Sequence, residues 1–127
     1  MDEQEREVSM SEEGAGEVRI STDVIVTIAH AAVLETEGVA GMSAGIADNI
    51  QQVLGRKGAS KGVKVELTGR EAVVDLYLIV GYGARIPDVA WRAQEKVKHA
   101  VESMTGLEVK AINIHVQGVS FDSKTAG

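Results

Sequence analysis

The chain has 127 residues, carries 13 Lys and Arg against 19 Asp and Glu for a formal charge of −6, and contains no cysteine. A domain of this length removes roughly two-thirds of its unfolded surface from water and needs no staple, and the missing cysteine excludes a disulfide framework, a thiolate zinc site and a thiol nucleophile. Hydrophobic residues make up 44%, yet the aromatic side chains are only Tyr77, Tyr82, Trp91 and Phe121, so an aliphatic core is expected and a base-stacking platform for single-stranded nucleic acid is not.

Residues 1–17 hold seven acids and one base, which is the whole net charge; the rest of the chain balances. With Val8 and Met10 the sizeable apolar residues before Val18, this start buries too little surface to offset its ordering entropy. Residues 1–15 are therefore read as a disordered acidic tail, 16–121 as the domain and 122–127 as a C-terminal tail. The acidic start is unlike a signal peptide. The longest uncharged runs, 24–34 and 111–121, have 11 residues each, short of the roughly 18 to 20 a membrane helix needs. A cytoplasmic protein without direct membrane insertion is the expectation.

Val18-Arg19-Ile20 alternates like a short strand, and Ser21-Thr22-Asp23 offers N-cap chemistry. From Val24 to Leu34 the sequence is apolar nearly all round a helix, a pattern that calls for cover on more than one side. After Gly38 the chain is rich in glycine and alanine, and Ile46, Ile50, Val53 and Leu54 then recur at the spacing of a short helix that Gly55 can end. Val63, Val65 and Leu67 alternate with polar residues, Gly69-Arg70 makes a two-residue turn, and Ala72, Val74, Leu76, Leu78 and Val80 continue the inward face of a β-hairpin. Pro87 suits the first turn of a long helix whose stripe is Val89, Ala93, Val97, Ala100, Val101 and Met104, with Gly106 as the stop. A last strand turns Ile112, Ile114 and Val116 inward and Asn113, His115 and Gln117 outward. The fold class is α+β, with helices packed on a small, largely antiparallel sheet in the order β-α-(short α)-β-β-α-β.

Several local patterns carry chemistry. Gly41-Met42-Ser43-Ala44-Gly45 matches the nucleophile elbow G-x-S-x-G, which would need His99 or His115 to activate Ser43 and Asp75 or Asp88 to orient that base. A glycine-rich connection with Ser43 capping the next helix is preferred, because the chain is too short for the hydrolase fold and the preceding strand is marginal. Gly55-Arg56-Lys57-Gly58 resembles the GxxG loop with which KH domains clamp a nucleic-acid backbone. Here the loop leads toward a strand instead of a helix, and overall acidity and scarce aromatics argue against nucleic acid. Arg56, Lys57, Lys61, Lys64 and Arg70 nevertheless fall within fifteen residues holding one acid, Glu66. Such a surface can dock an acidic partner, anionic lipid or the chain's own tail. Gly81-Tyr82-Gly83 is only a fragment of a dinucleotide fingerprint, and no phosphate loop is present. His30, His99 and His115 lack metal-ligand spacing, so neither metal nor cofactor is expected. Trp91 lies about 140° from the centre of its helix's apolar stripe at 100° per residue. A large indole on a polar face is a typical interface anchor or else folds over a loop of its own domain; with the apolar first helix, the anchor reading suggests self-association.

Gly16-Glu17-Val18-Arg19-Ile20-Ser21 is followed in order by Glu37-Gly38-Val39, Gly62-Val63-Lys64-Val65 and Val74-Asp75-Leu76. Tyr82-Gly83, Ile86-Pro87-Asp88-Val89-Ala90, Val101-Glu102-Ser103-Met104-Thr105-Gly106-Leu107 and Val116-Gln117-Gly118-Val119-Ser120-Phe121 complete the series. In these fragments and their order the chain resembles the alkaline shock protein family of bacterial envelope stress response proteins. The resemblance implies an α+β domain, no catalytic motif, and a non-enzymatic role in cell-envelope homeostasis. For some members it implies self-assembly and recruitment by a membrane-anchored relative; for other branches, control of the carboxylase that begins fatty-acid synthesis. The expectation is thus a homo-oligomeric scaffold with Trp91, Arg56, Lys57 and Lys61 as partner contacts, and an RNA-binding module using the Gly55 to Gly58 loop is the alternative.

Overall fold

The computed structural model describes residues 7–12, 16–43 and 60–121. The first described element corrects the disordered-tail expectation at 7–12. Strand β1, Glu7–Glu12, pairs antiparallel with β2, Gly16–Ser21, from Glu7 opposite Ser21 to Glu12 opposite Gly16. Net charge is a poor guide here, because a six-residue ladder satisfies backbone donors and acceptors whatever the side chains carry.

Helix α1, Thr22–Leu34, follows directly. Ser21 stands at its N-cap with extended backbone, but makes no side-chain capping bond; Asp23 instead supplies negative charge to the first turn, where the helix dipole favours it. Ile25, Val26, Ala29, Ala32 and Val33 are buried while Val24 and Leu34 are exposed, so α1 is covered along one side and not around its circumference. After its end Thr36 folds back, its hydroxyl donating to the Ala32 carbonyl at 3.1 Å. Gly38 follows with φ +97, and a Cβ there would stand 2.5 Å from Cγ2 of Val89. Only glycine gives both that backbone and that approach.

The sheet is organised around β5, Glu71–Gly81. Strand β4, Val63–Thr68, pairs antiparallel with its first half through the expected hairpin, Val63 opposite Leu76 and Thr68 opposite Glu71. Strand β3, Val39–Met42, pairs with the second half of the same edge, Val39 opposite Val80. The marginal strand is therefore real, and Ser43 prolongs it by donating its backbone N–H to the Tyr77 carbonyl at 2.8 Å. A 3-10 turn, Ser60–Gly62, leads into β4. The expected short helix over Ile46, Ile50, Val53 and Leu54 lies outside the described residues.

Helix α2, Ile86–Thr105, carries the chain back along the sheet to β6, Glu108–Ser120. That crossover makes β6 run parallel to β5, along the edge opposite β3 and β4. A return through a twenty-residue helix gives parallel neighbours, whereas the tight turn at Gly69 gives antiparallel ones. The sheet is largely antiparallel with one parallel pair.

Both helices pack on one face. Val63, Val65, Leu67, Val74, Leu76 and Leu78 point toward them, against Ile25, Ala29 and Val33 of α1 and Ala93, Val97 and Val101 of α2. One stripe residue departs from expectation: Met104 is 70% exposed. The last turn buries Thr105 instead, whose hydroxyl donates to the Val101 carbonyl at 2.6 Å and accepts from the Leu107 N–H at 3.1 Å. Gly106, with φ +78, ends the helix as expected.

Candidate functional site

Trp91 sits on α2 and is 61% exposed. Helical spacing puts it in one row with Gln94, Lys98 and Glu102. The structure shows where that row points. The Gln94 amide donates to the Ile112 carbonyl at 3.1 Å, Lys98 Nζ lies 3.4 Å from the Val109 carbonyl, and Glu102 Oε2 accepts from the Val109 N–H at 2.8 Å. All three seal the outer edge of β6, and Trp91 stands one turn further toward the helix start, beyond the sealed part. The Val109 N–H and the Lys98 ammonium, 3.0 Å from Glu102, hold the Glu102 carboxyl below its ordinary value. Sequence reading missed this seam, although a polar i, i+4 row flanking an apolar stripe is its signature.

Lys61 is elsewhere. It is exposed in the turn before β4 with φ +63, beside α1. Burial, and secondarily the charge of Lys61, lower the His30 pKa. Trp91 and Lys61 thus belong to different surfaces, and Arg56 and Lys57 lie outside the described residues.

The face of the sheet away from the helices carries a polar cluster. Asp75 Oδ1 accepts from the Asn113 amide at 3.0 Å and lies 3.1 Å from His115 Nε2, while the His115 ring stacks on Tyr77 at 4.6 Å between centroids. The elbow pattern is therefore half assembled: an Asp75–His115 pair exists, but the Ser43 hydroxyl pairs with Gln117 Oε1 at 3.3 Å. The other combination is not assembled, since Asp88 pairs with Arg85 at 3.4 Å and His99 is exposed on α2. At the end of the sheet Tyr82 stacks on Phe121, both largely exposed. Among the described residues, no helix is long and apolar enough to cross a membrane.

Residues 10–121 match the Asp23 family, described by its cell envelope-related function; the family's name is unconnected with aspartate 23 of this chain. The chain belongs to the Asp23 family. The match spans α1, α2 and the strands β2 to β6. Two Bacillus subtilis relatives are similar over most of their length: YqhY is 38% identical over 86% of this chain and 81% of its own, and YloU is 39% identical over 82% and 88%. A Streptococcus pyogenes stress response regulator gls24 homolog is 26% identical over 80% of this chain and 57% of its own. No solved structure matches.

Proposed function

We propose that this Asp23-family chain is a non-enzymatic scaffold for cell-envelope homeostasis that works by associating with copies of itself and with partners. One observation carries this reading: a 61% exposed Trp91 on the polar side of α2, where an indole gains binding energy only when a partner buries it. The half-assembled elbow supports a role without catalysis, because Ser43 is engaged by Gln117 and the Asp75–His115 pair is tied into a polar cluster with Asn113 and Tyr77.

The finer partner assignments belong to the same proposal. The chain acts on the cytoplasmic side, recruited to the membrane by a membrane-anchored relative, or it contacts the carboxylase that begins fatty-acid synthesis. Sedimentation velocity over a wide concentration range tests the central claim: oligomers that dissociate on dilution are expected, and a monomer at every concentration overturns it. The RNA-binding alternative is separated by titrating RNA at rising salt. Phosphate contacts give affinity that falls steeply with salt and with Arg56→Glu, and the scaffold reading expects no such binding.

A further inference from the structure

Strand β6 is an edge strand whose two halves are treated differently. Over 109–112 its outer backbone groups are occupied by Gln94, Lys98 and Glu102. Backbone groups alternate in direction along a regular ladder and change phase at a bulge. The Ile112 carbonyl points out to Gln94 and the pairing with β5 is regular from Ile112 to Val116, so Ile114 and Val116 also point out; the register shift after Val116 reverses the phase, and the Ser120 carbonyl points to the β5 side, where it accepts from Tyr82. Among the described residues no strand pairs with that edge. The open stretch has no gatekeeper: from Ala111 to Phe121 there is no Lys, Arg, Asp, Glu or Pro, the residues with which exposed edges are normally blunted. Trp91 lies in the row that seals the other half, directly before it.

We infer that the open half of β6 pairs antiparallel with the same stretch of a second copy of this chain across a two-fold axis, joining two sheets into one. This deepens the scaffold reading and rests on its claim of self-association. Two features select a second copy over a foreign peptide. The stretch is uncharged, so two copies meet without like-charge repulsion although each chain carries −6. It is also self-matching, as a two-fold interface requires. Register shifts in the β5–β6 pairing fall before Val73 and after Leu78, so the strand is regular from Ile112 to Val116. The symmetric register that uses both free positions without displacing Gln94 sets Ile114 opposite Val116 of the second copy. His115 then faces His115 of that copy as a non-hydrogen-bonded pair. Both copies keep their helices on one side of the joined sheet, and the two Trp91 rows come together over the seam.

A chain without cysteine makes the test direct. His115→Cys, exposed on the open face, is expected to form a disulfide-linked dimer under mild oxidation, because side chains of a non-hydrogen-bonded antiparallel pair are the closest across strands. Thr68→Cys, exposed on β4, is the control that is expected to stay monomeric under the same oxidant. In sedimentation, Trp91→Glu and Val119→Lys are expected to shift the oligomer to monomer, and the single Trp of the wild type to move its emission to the blue on association. A wild type that is monomeric at all concentrations overturns both this inference and the scaffold reading. A wild-type oligomer that survives Trp91→Glu and Val119→Lys, with His115→Cys cross-linking no better than Thr68→Cys, overturns the edge alone and leaves self-association standing. Slow amide exchange at Ile114 and Val116 in a monomer would mean that the edge is covered within one chain and would likewise overturn the inference.

Discussion

The two faces of the central sheet are built on opposite terms. On the face under the helices, Val74, Leu76, Leu78 and Val80 of β5 are essentially sealed from solvent. On the other face the alternate residues Val73, Asp75, Tyr77 and Ile79 are half-buried, and Asp75 and Tyr77 engage Asn113 and His115 from β6. One strand therefore carries the stability of the domain on one side and a solvent-facing polar pattern on the other. The covered face is nonspecific aliphatic packing, whereas the open face depends on individual hydrogen bonds.

The sharpest way to break that comparison is to truncate neighbouring residues on β5. Leu76→Ala removes a fully buried core side chain, and unfolding in urea is expected to show a loss of about 2–5 kcal/mol. Tyr77→Ala, next in sequence but on the open face, is expected to lose well under half as much. Equal losses would mean that the open face is covered after all. The second largest effect tests how tightly the helices close on the covered face. Gly38→Ala forces a Cβ against Val89 with φ +97 and is expected to destabilise by about 1–3 kcal/mol, measured by thermal melting against Gly41→Ala, where a Cβ meets nothing within 4 Å.

Asp75→Ala is the corresponding lesion on the open face. It strips partners from the Asn113 amide and from His115 at once, yet both groups can turn to water. The expected loss is about 0.5–1.5 kcal/mol, readable in urea and accompanied by faster amide exchange along β6. A loss as large as that of Leu76→Ala would show that the polar cluster is part of the structural core.

What the sequence makes legible follows the same division. Alternation between Val63 and Val80 reveals the hairpin and its inward face, because period-two patterning is written locally. The Val89 to Val101 stripe and Gly106 do the same for α2. Met104 and Thr105 show the limit: periodicity favours the methionine, but the turn into Leu107 rotates the smaller threonine inward, where its hydroxyl can satisfy the helix end. The parallel placement of β6 on β5 is a pairing between segments held apart by a twenty-residue helix, and no local pattern encodes it. Trp91 was visible as an oddity, but the open edge beside it was not. Arg56 and Lys57, which their charge and the GxxG pattern mark out, lie outside the described residues.

The smallest predicted effect lies on the rim where the covered face meets the β6 edge, and it depends on pH. Glu102 accepts the Val109 N–H and pairs with Lys98, and these partners hold its carboxyl below the ordinary 4.5. An acid whose folded pKa is depressed stabilises the fold above its unfolded pKa, and the contribution fades as pH falls through the folded value. Wild type should therefore exceed Glu102→Gln by a constant margin from about pH 6 upward, about a few tenths of a kcal/mol on the scale of exposed ion pairs. Urea titrations at successively lower pH should show that margin closing below 4.5. A margin that stays constant to acid pH would mean that the protonated Glu102 carboxyl holds the Val109 N–H as well as the carboxylate does, and that the edge is sealed by hydrogen-bond geometry without help from charge.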